Sequence, residues 1–262
     1  MEQQTPLQKY FAQRVKNVFN HLHDFDLNGD DTSLHDFRVE MKKLRAVVKF
    51  LQQVYPKQKL KRPAHLLRAV FQEAGEIREY QLLQQWLEKH RLKAIQEHYF
   101  PALRLEQMMM AFRLRSDHYQ ADFKEIIEHS APFVASTNEI LAEQYFVDLN
   151  AHLQEMTNGD LPATEWHELR KRIKQWLYAI NWIRPEEAAE KEPSLSYYNK
   201  LQEQIGQWHD LEMIRDSFAQ KQIYLSQDID VQKDFNIAAE KLNHSMRYRE
   251  RQIEEMLSRQ AA

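Results

Sequence analysis

Only 4 glycines and 8 prolines punctuate a chain of 262 residues. Turns and strand ends draw heavily on these two residue types, so the chain lacks the punctuation for many short strands. It reads instead as long helices joined by few loops. Thr5 and Pro6 open the first, a capping residue followed by proline at the first helical position. Leu7, Phe11, Val15, Val18 and Leu22 give that helix an apolar stripe. The run 26–33, Asp-Leu-Asn-Gly-Asp-Asp-Thr-Ser, reads as a loop, with Ser33 as the N-cap of a second helix reaching about Tyr55 before Pro56. Further helices are expected over about 63–90, 101–129, 136–157, 165–183, 194–218 and 231–259. Ala131 and Pro132 mark the junction of the two halves, and Asn158-Gly159 and Pro185 mark two more breaks. No segment sustains strand-like alternation. The fold class is therefore all-α, with long antiparallel helices in two halves, 1–130 and 131–262.

Residues recur across that junction. His35-x-x-Arg38-x-x-x-Lys42 returns as His167-x-x-Arg170-x-x-x-Lys174, and Gly75-x-x-Arg78-Glu79 returns as Gly206-x-x-His209-Asp210. The two offsets are nearly equal, which points to an internal duplication. Each glycine lies inside a long predicted helix, where it costs about 1 kcal/mol against alanine. Close approach of a crossing helix would offset that cost. Glu79 and Asp210 are candidates to orient Arg78 or the basic residues by ion pairing.

The second predicted helix carries two separate faces. At about 100° per residue, His35, Arg38, Lys42, Arg45 and Lys49 fall within a sector of about 80°. Phe37, Met41, Leu44, Val48 and Leu51 occupy another, between about 160° and 240° from His35. The cationic stripe spans roughly 21 Å. Like charges at spacings of three and four repel one another, and an extended anion would relieve the repulsion. Arginine forks onto phosphate oxygens and lysine offers a point charge. The counterpart helix keeps His167, Arg170 and Lys174 on one face, flanked by Lys171. It carries Leu177 where its partner has Arg45, and Asn181 where its partner has Lys49. The candidate site also takes in Lys43, Arg68, Arg78, Lys200 and His209. A basic run is more often a solvated helix face, and a histidine near a helix start often packs or caps locally. Recurrence of the whole pattern, histidine included, favours the binding reading. A phosphate neighbour would favour protonated histidine, so tighter binding is expected as pH falls from 8 to 6.

His35-Asp-Phe-Arg-Val-Glu-Met-Lys-Lys-Leu-Arg45 closely resembles the first histidine motif of the CHAD family, the conserved histidine α-helical domains. His167-Glu-Leu-Arg-Lys-Arg-Ile-Lys-Gln-Trp-Leu-Tyr178 resembles the second, and Ile205-Gly-Gln-Trp-His-Asp-Leu211 is similar to the Leu-Gly-x-x-x-Asp signature. The resemblance spans nearly the whole chain as one domain. It implies two four-helix bundles related by a pseudo-twofold axis. It also implies a basic central groove or pore that binds inorganic polyphosphate, with His35, Arg38, Lys42, Arg45, His167, Arg170 and Lys174 in binding roles. Leu177 departs from the second motif. Some relatives carry a fused triphosphate-tunnel hydrolase, but its Glu-x-Glu-x-Lys motif does not occur here.

Composition narrows the rivals. The chain has no cysteine, which excludes disulfides, thiolate metal sites and cysteine nucleophiles. Its net charge is −3, so an anion site must come from local placement of charge, and a general nucleic-acid binder is disfavoured. None of the 12 histidines has Asp or Glu three residues before it, as di-metal helical bundles require. His21 and His23 offer only adventitious metal binding. There is no P-loop and no Gly-x-Ser-x-Gly. The expectation is therefore a non-catalytic polyphosphate binder without cofactor or metal. RNA or DNA binding ranks next, then a metal-binding or purely structural bundle. The N-terminus lacks the regions of a signal peptide and no apolar run approaches the roughly 20 residues of a membrane span. The expected setting is cytoplasmic, at polyphosphate granules, without membrane contact, and a homodimer is compatible with this reading.

Overall fold

A computed structural model describes residues 4–57, 60–157, 161–190 and 193–261. Among these residues there are eleven α-helices and no strand: α1 Pro6–Asn28, α2 Asp31–Val54, α3 Lys61–Lys89, α4 Lys93–Tyr99, α5 Ala102–Arg113, α6 Ser116–Ser136, α7 Glu139–Thr157, α8 Trp166–Ile183, α9 Pro185–Glu190, α10 Pro193–Gln220 and α11 Ile229–Ala261. Two 3₁₀ turns, Ala163–Glu165 and Ile223–Leu225, complete the set. The expected break at Asn158-Gly159 lies outside the described residues.

The local rules account for several boundaries. Thr5 caps α1 through a reciprocal capping box with Gln8. The expected loop at 26–33 is much shorter in the structure. Phe25 is fully buried and draws α1 on to Asn28, and Gly29 then takes the left-handed conformation at φ 63°. Asp30, rather than Ser33, caps α2: its carboxylate accepts from the Ser33 amide at 2.8 Å and the Ser33 hydroxyl at 2.7 Å. The long fourth helix expected over 101–129 is broken at Leu114–Arg115 into α5 and α6. Pro132 does not end α6, which continues to Ser136. Burial of Ser130 and Val134 on either side holds the helix through the missing N–H.

One large apolar core runs through both halves of the chain. Phe50 of α2 packs edge-on against Tyr145 of α7 at 4.8 Å, and Tyr10 of α1 lies 4.9 Å from Trp182 of α8. These contacts set α2 beside α8, with their basic stripes turned away from the core. A smaller cluster, including Leu83, Leu87, Ile95, Phe218 and Val231, closes the far ends of α3 and α10 against α4 and α11.

Candidate functional site

The outward faces of α2 and α8 line one cavity of about 740 Å³, closed at its sides by α3 and α10. Of the fourteen residues expected to form the site, twelve line it: His35, Arg38, Lys42, Arg45, Lys49, Arg68, Arg78, His167, Arg170, Lys171, Lys174 and His209. The cavity wall thus carries nine lysine and arginine side chains among the described residues, against two carboxylates, Glu79 and Asp210. Lys43 turns the other way. Its ammonium lies 2.6 Å from the buried Glu40 carboxylate, which also holds Arg14 at 2.9 Å. Lys200 sits in a separate cavity beside Trp176, Tyr197 and Met256.

The two glycines explain how the arginines are seated. Arg38 Nη1 donates to the Phe71 carbonyl at 3.0 Å, and Arg170 Nε donates to the Gln202 carbonyl at 3.2 Å. Each acceptor lies four residues before a glycine, Gly75 or Gly206. A Cβ at Gly75 would stand 2.8 Å from Arg38 Nη1, and one at Gly206 would stand 2.6 Å from Arg170 Nη2. Glycine therefore lets each guanidinium lie flat on the neighbouring helix. The repeated sequence motifs build the same contact twice: the neighbouring helix packs against each glycine, and its arginine side chain is what fills the space.

Sequence reading missed Phe71, which looks like one more core residue of α3. Its ring lines the cavity, with the guanidinium carbons of Arg38 and Arg45 each 4.4 Å from its centroid and Lys42 Nζ at 5.9 Å. Gln175 was missed too. It accepts from Lys49 Nζ at 2.7 Å and donates to the Tyr145 hydroxyl, tying the end of the α2 stripe to α8.

Burial, with crowding by like charges second, pulls the proton affinities of these cations down. Burial brings Lys42 to about 7, and the neighbouring Lys174, Arg38 and Arg170 add to the shift against Asp210. Lys174 falls to about 8, again chiefly by burial, with Arg170 beside it. Arg38 falls to about 10 by burial. His35 and His167, which also line the cavity, are lowered from their ordinary value by partial desolvation; Arg78 and Lys42 add to it at His35, and His209 and Lys171 at His167. The His167 and His209 rings lie 4.6 Å apart. Among the described residues, neither Glu79 nor Asp210 closes a direct ion pair with the stripes; Arg78 donates instead to Gln81 at 3.3 Å. Lys42, Arg45, Arg68 and Lys174 have no hydrogen-bond or ion-pair partner among the described residues, so their donors face the cavity uncommitted.

The family model of the CHAD domain matches residues 9–219. The chain belongs to the CHAD family. A crystal structure of the CHAD domain from the plant Ricinus communis is similar, with a TM-score of 0.63 over 98% of this chain and 93% of that one, at 16% identity. That likeness takes in α11, which lies beyond the residues matched by the family model. None of the curated proteins searched matches the sequence. Among the described residues, no helix is long and apolar enough to cross a membrane.

Proposed function

We propose that this cavity binds inorganic polyphosphate and does not hydrolyse it. One observation carries the reading: nine cations and two carboxylates share one cavity wall in a protein whose net charge is −3. Burying these cations, and then placing like charges beside them, raises their free energy, as the depressed lysines Lys42 and Lys174 record. A linear polyanion reverses that penalty and releases its own counterions on binding. The uncommitted lysines supply point charges, and the arginines supply paired donors for phosphate oxygens.

The same wall favours a bare phosphate chain over nucleic acid. Single strands are gripped by open aromatic faces on which bases stack. The aromatic ring nearest the α2 cations, Phe71, has guanidinium groups against it. Among the described residues the wall carries no cysteine, serine or threonine, and its two carboxylates stand among cations. Incubation with polyphosphate and Mg²⁺ or Mn²⁺ should release no orthophosphate; steady release would overturn the non-catalytic reading.

The direct test is titration of the full chain with polyphosphate, followed by competition with RNA, DNA and heparin. Polyphosphate should bind tightest, with an affinity that falls steeply with salt. Replacing Arg38, Lys42, Arg170 and Lys174 together by glutamate should abolish binding with helicity unchanged by circular dichroism. Equal affinity for RNA, or unchanged binding by the quadruple variant, would sink the proposal.

A further inference from the structure

We infer that Phe71 is the positioning residue of this site, holding Arg38 and Arg45 as a preset pair and making the α2 side the anchoring subsite for the phosphate chain. The inference rests on the polyphosphate reading above and goes further by dividing the cavity into unequal subsites.

Three observations on Phe71 converge. Its ring takes the guanidinium groups of Arg38 and Arg45, at equal distances of 4.4 Å. Its own backbone carbonyl accepts from Arg38 Nη1 at 3.0 Å. It lines the cavity in which both arginines and Lys42 stand. A guanidinium on an aromatic face is attracted by the ring quadrupole and keeps its edge N–H groups free for an anion. An arginine side chain otherwise loses up to about 2 kcal/mol of rotamer freedom when an anion fixes it. Holding two of them on one ring before the ligand arrives lowers that cost.

The second half provides an internal control. The residue four before Gly206 is Gln202, which seats Arg170 through its carbonyl but has no ring to offer. On α8 the position matching Arg45 is Leu177. A ring four residues before the glycine and a second arginine are thus both present on one side and both absent from the matching positions on the other, where Tyr178 of α8 lines the cavity within electrostatic reach of Arg170. That joint change is what a functional pair would leave. A Phe71 serving only the core would be indifferent to the residue at the Arg45 position.

The experiment compares Phe71→Leu and Phe71→Tyr with the unaltered full chain, using inorganic polyphosphate of one fixed chain length. Leucine keeps the apolar bulk and loses the ring. Tyrosine keeps the ring. Phe71→Leu should weaken binding roughly tenfold, and Phe71→Tyr should stay within about twofold. In an Arg45→Met background the Leu substitution should cost clearly less than it does alone, because one of its two clients is already gone. Thermal unfolding separates loss of fold from loss of positioning. If Phe71→Leu binds as well as the unaltered chain, or if both variants weaken binding equally at unchanged stability, the positioning role is wrong while polyphosphate binding stands. If the unaltered chain fails to bind, the functional reading itself falls.

Discussion

The two sides of the cavity are built from the same sequence motif and carry different numbers of cations. The α2 side, with α3, contributes Arg38, Lys42, Arg45, Lys49, Arg68 and Arg78; the α8 side, with α10, contributes Arg170, Lys171 and Lys174. Each seats one arginine on the backbone beside a glycine. Only the first adds a ring and a second arginine upon it. On α8, Lys171 is drawn to Glu168, which also holds Arg172 at 3.1 Å. The lesson is that a recurring motif fixes where cations can stand, and a few residues then decide how many have uncommitted donors. In the proposed function the α2 side holds the chain and the α8 side supplies the facing charge.

The largest effect should come from reversing charge on one side at a time. Arg38→Glu with Lys42→Glu should weaken polyphosphate binding at least about a hundredfold. The new carboxylates would capture Arg45 and the neighbouring α3 arginines, removing more cations than were replaced. Arg170→Glu with Lys174→Glu should cost only about tenfold, since fewer cations remain nearby to be captured. Titrations at two salt concentrations would check this. Equal losses from the two pairs would break the comparison and leave a cavity that acts as one uniform well of charge.

Next in size is a pH dependence, set by lysine rather than by histidine alone. Lys42 at about 7 and Lys174 at about 8 are partly neutral in the empty cavity near neutral pH. A bound phosphate chain favours the charged forms, so binding takes up protons. Affinity should therefore rise as pH falls from about 9 to about 7, by about tenfold or more, and the lysine share of the rise should level off below. His35 and His167 are lowered from their ordinary value, so their share enters at more acid pH than sequence alone suggests. Stability without ligand runs the other way. Between about 7 and the ordinary lysine value the unfolded chain binds more protons than the folded one, so this contribution grows as pH rises and is lost as pH falls toward 7. Lys42→Met with Lys174→Met should flatten both profiles. A wild-type affinity that is flat from pH 9 to 7 would refute the lysine linkage.

What the sequence made legible follows from where each signal resides. The α2 and α8 faces were readable because charge and apolar residues separate cleanly at helical spacing, as with His35, Arg38 and Lys42 against Phe37, Met41 and Leu44. Offset arithmetic also paired Gly75 with Gly206. Phe71 was not readable, since an aromatic in an apolar helix is ordinarily core, and its role depends on a different helix. Lys43 and Lys200 carry the right charge in the right segments, but Glu40 claims the first and a different cavity takes the second. The break at Leu114–Arg115 and the passage of α6 through Pro132 are tertiary outcomes, in which burial outweighs local propensity.

The smallest expected effect is also the finest probe of the difference between the sides. Alanine at either glycine removes a helix penalty of about 1 kcal/mol, so neither variant should lower the melting temperature by more than about 3 °C. Binding should respond unequally. At Gly75 the new Cβ meets only Arg38 Nη1 closely, at 2.8 Å, with Cζ and Nη2 at 3.7 Å. Arg38 can pivot away from the carbonyl and remain on the Phe71 ring. At Gly206 the Cβ meets Nη2 at 2.6 Å and both Cζ and Nε at 3.0 Å, so the whole guanidinium of Arg170 must leave, and Gln202 offers no ring to hold it. Gly75→Ala should therefore keep polyphosphate affinity within about twofold, whereas Gly206→Ala should lose roughly three- to fivefold, the worth of one displaced hydrogen bond. In the proposed function the ring-held side would tolerate the methyl group although it carries more of the binding, and that inversion separates positioning by Phe71 from positioning by the backbone alone. A larger loss at Gly75 than at Gly206 would mean that the carbonyl, not the ring, sets Arg38.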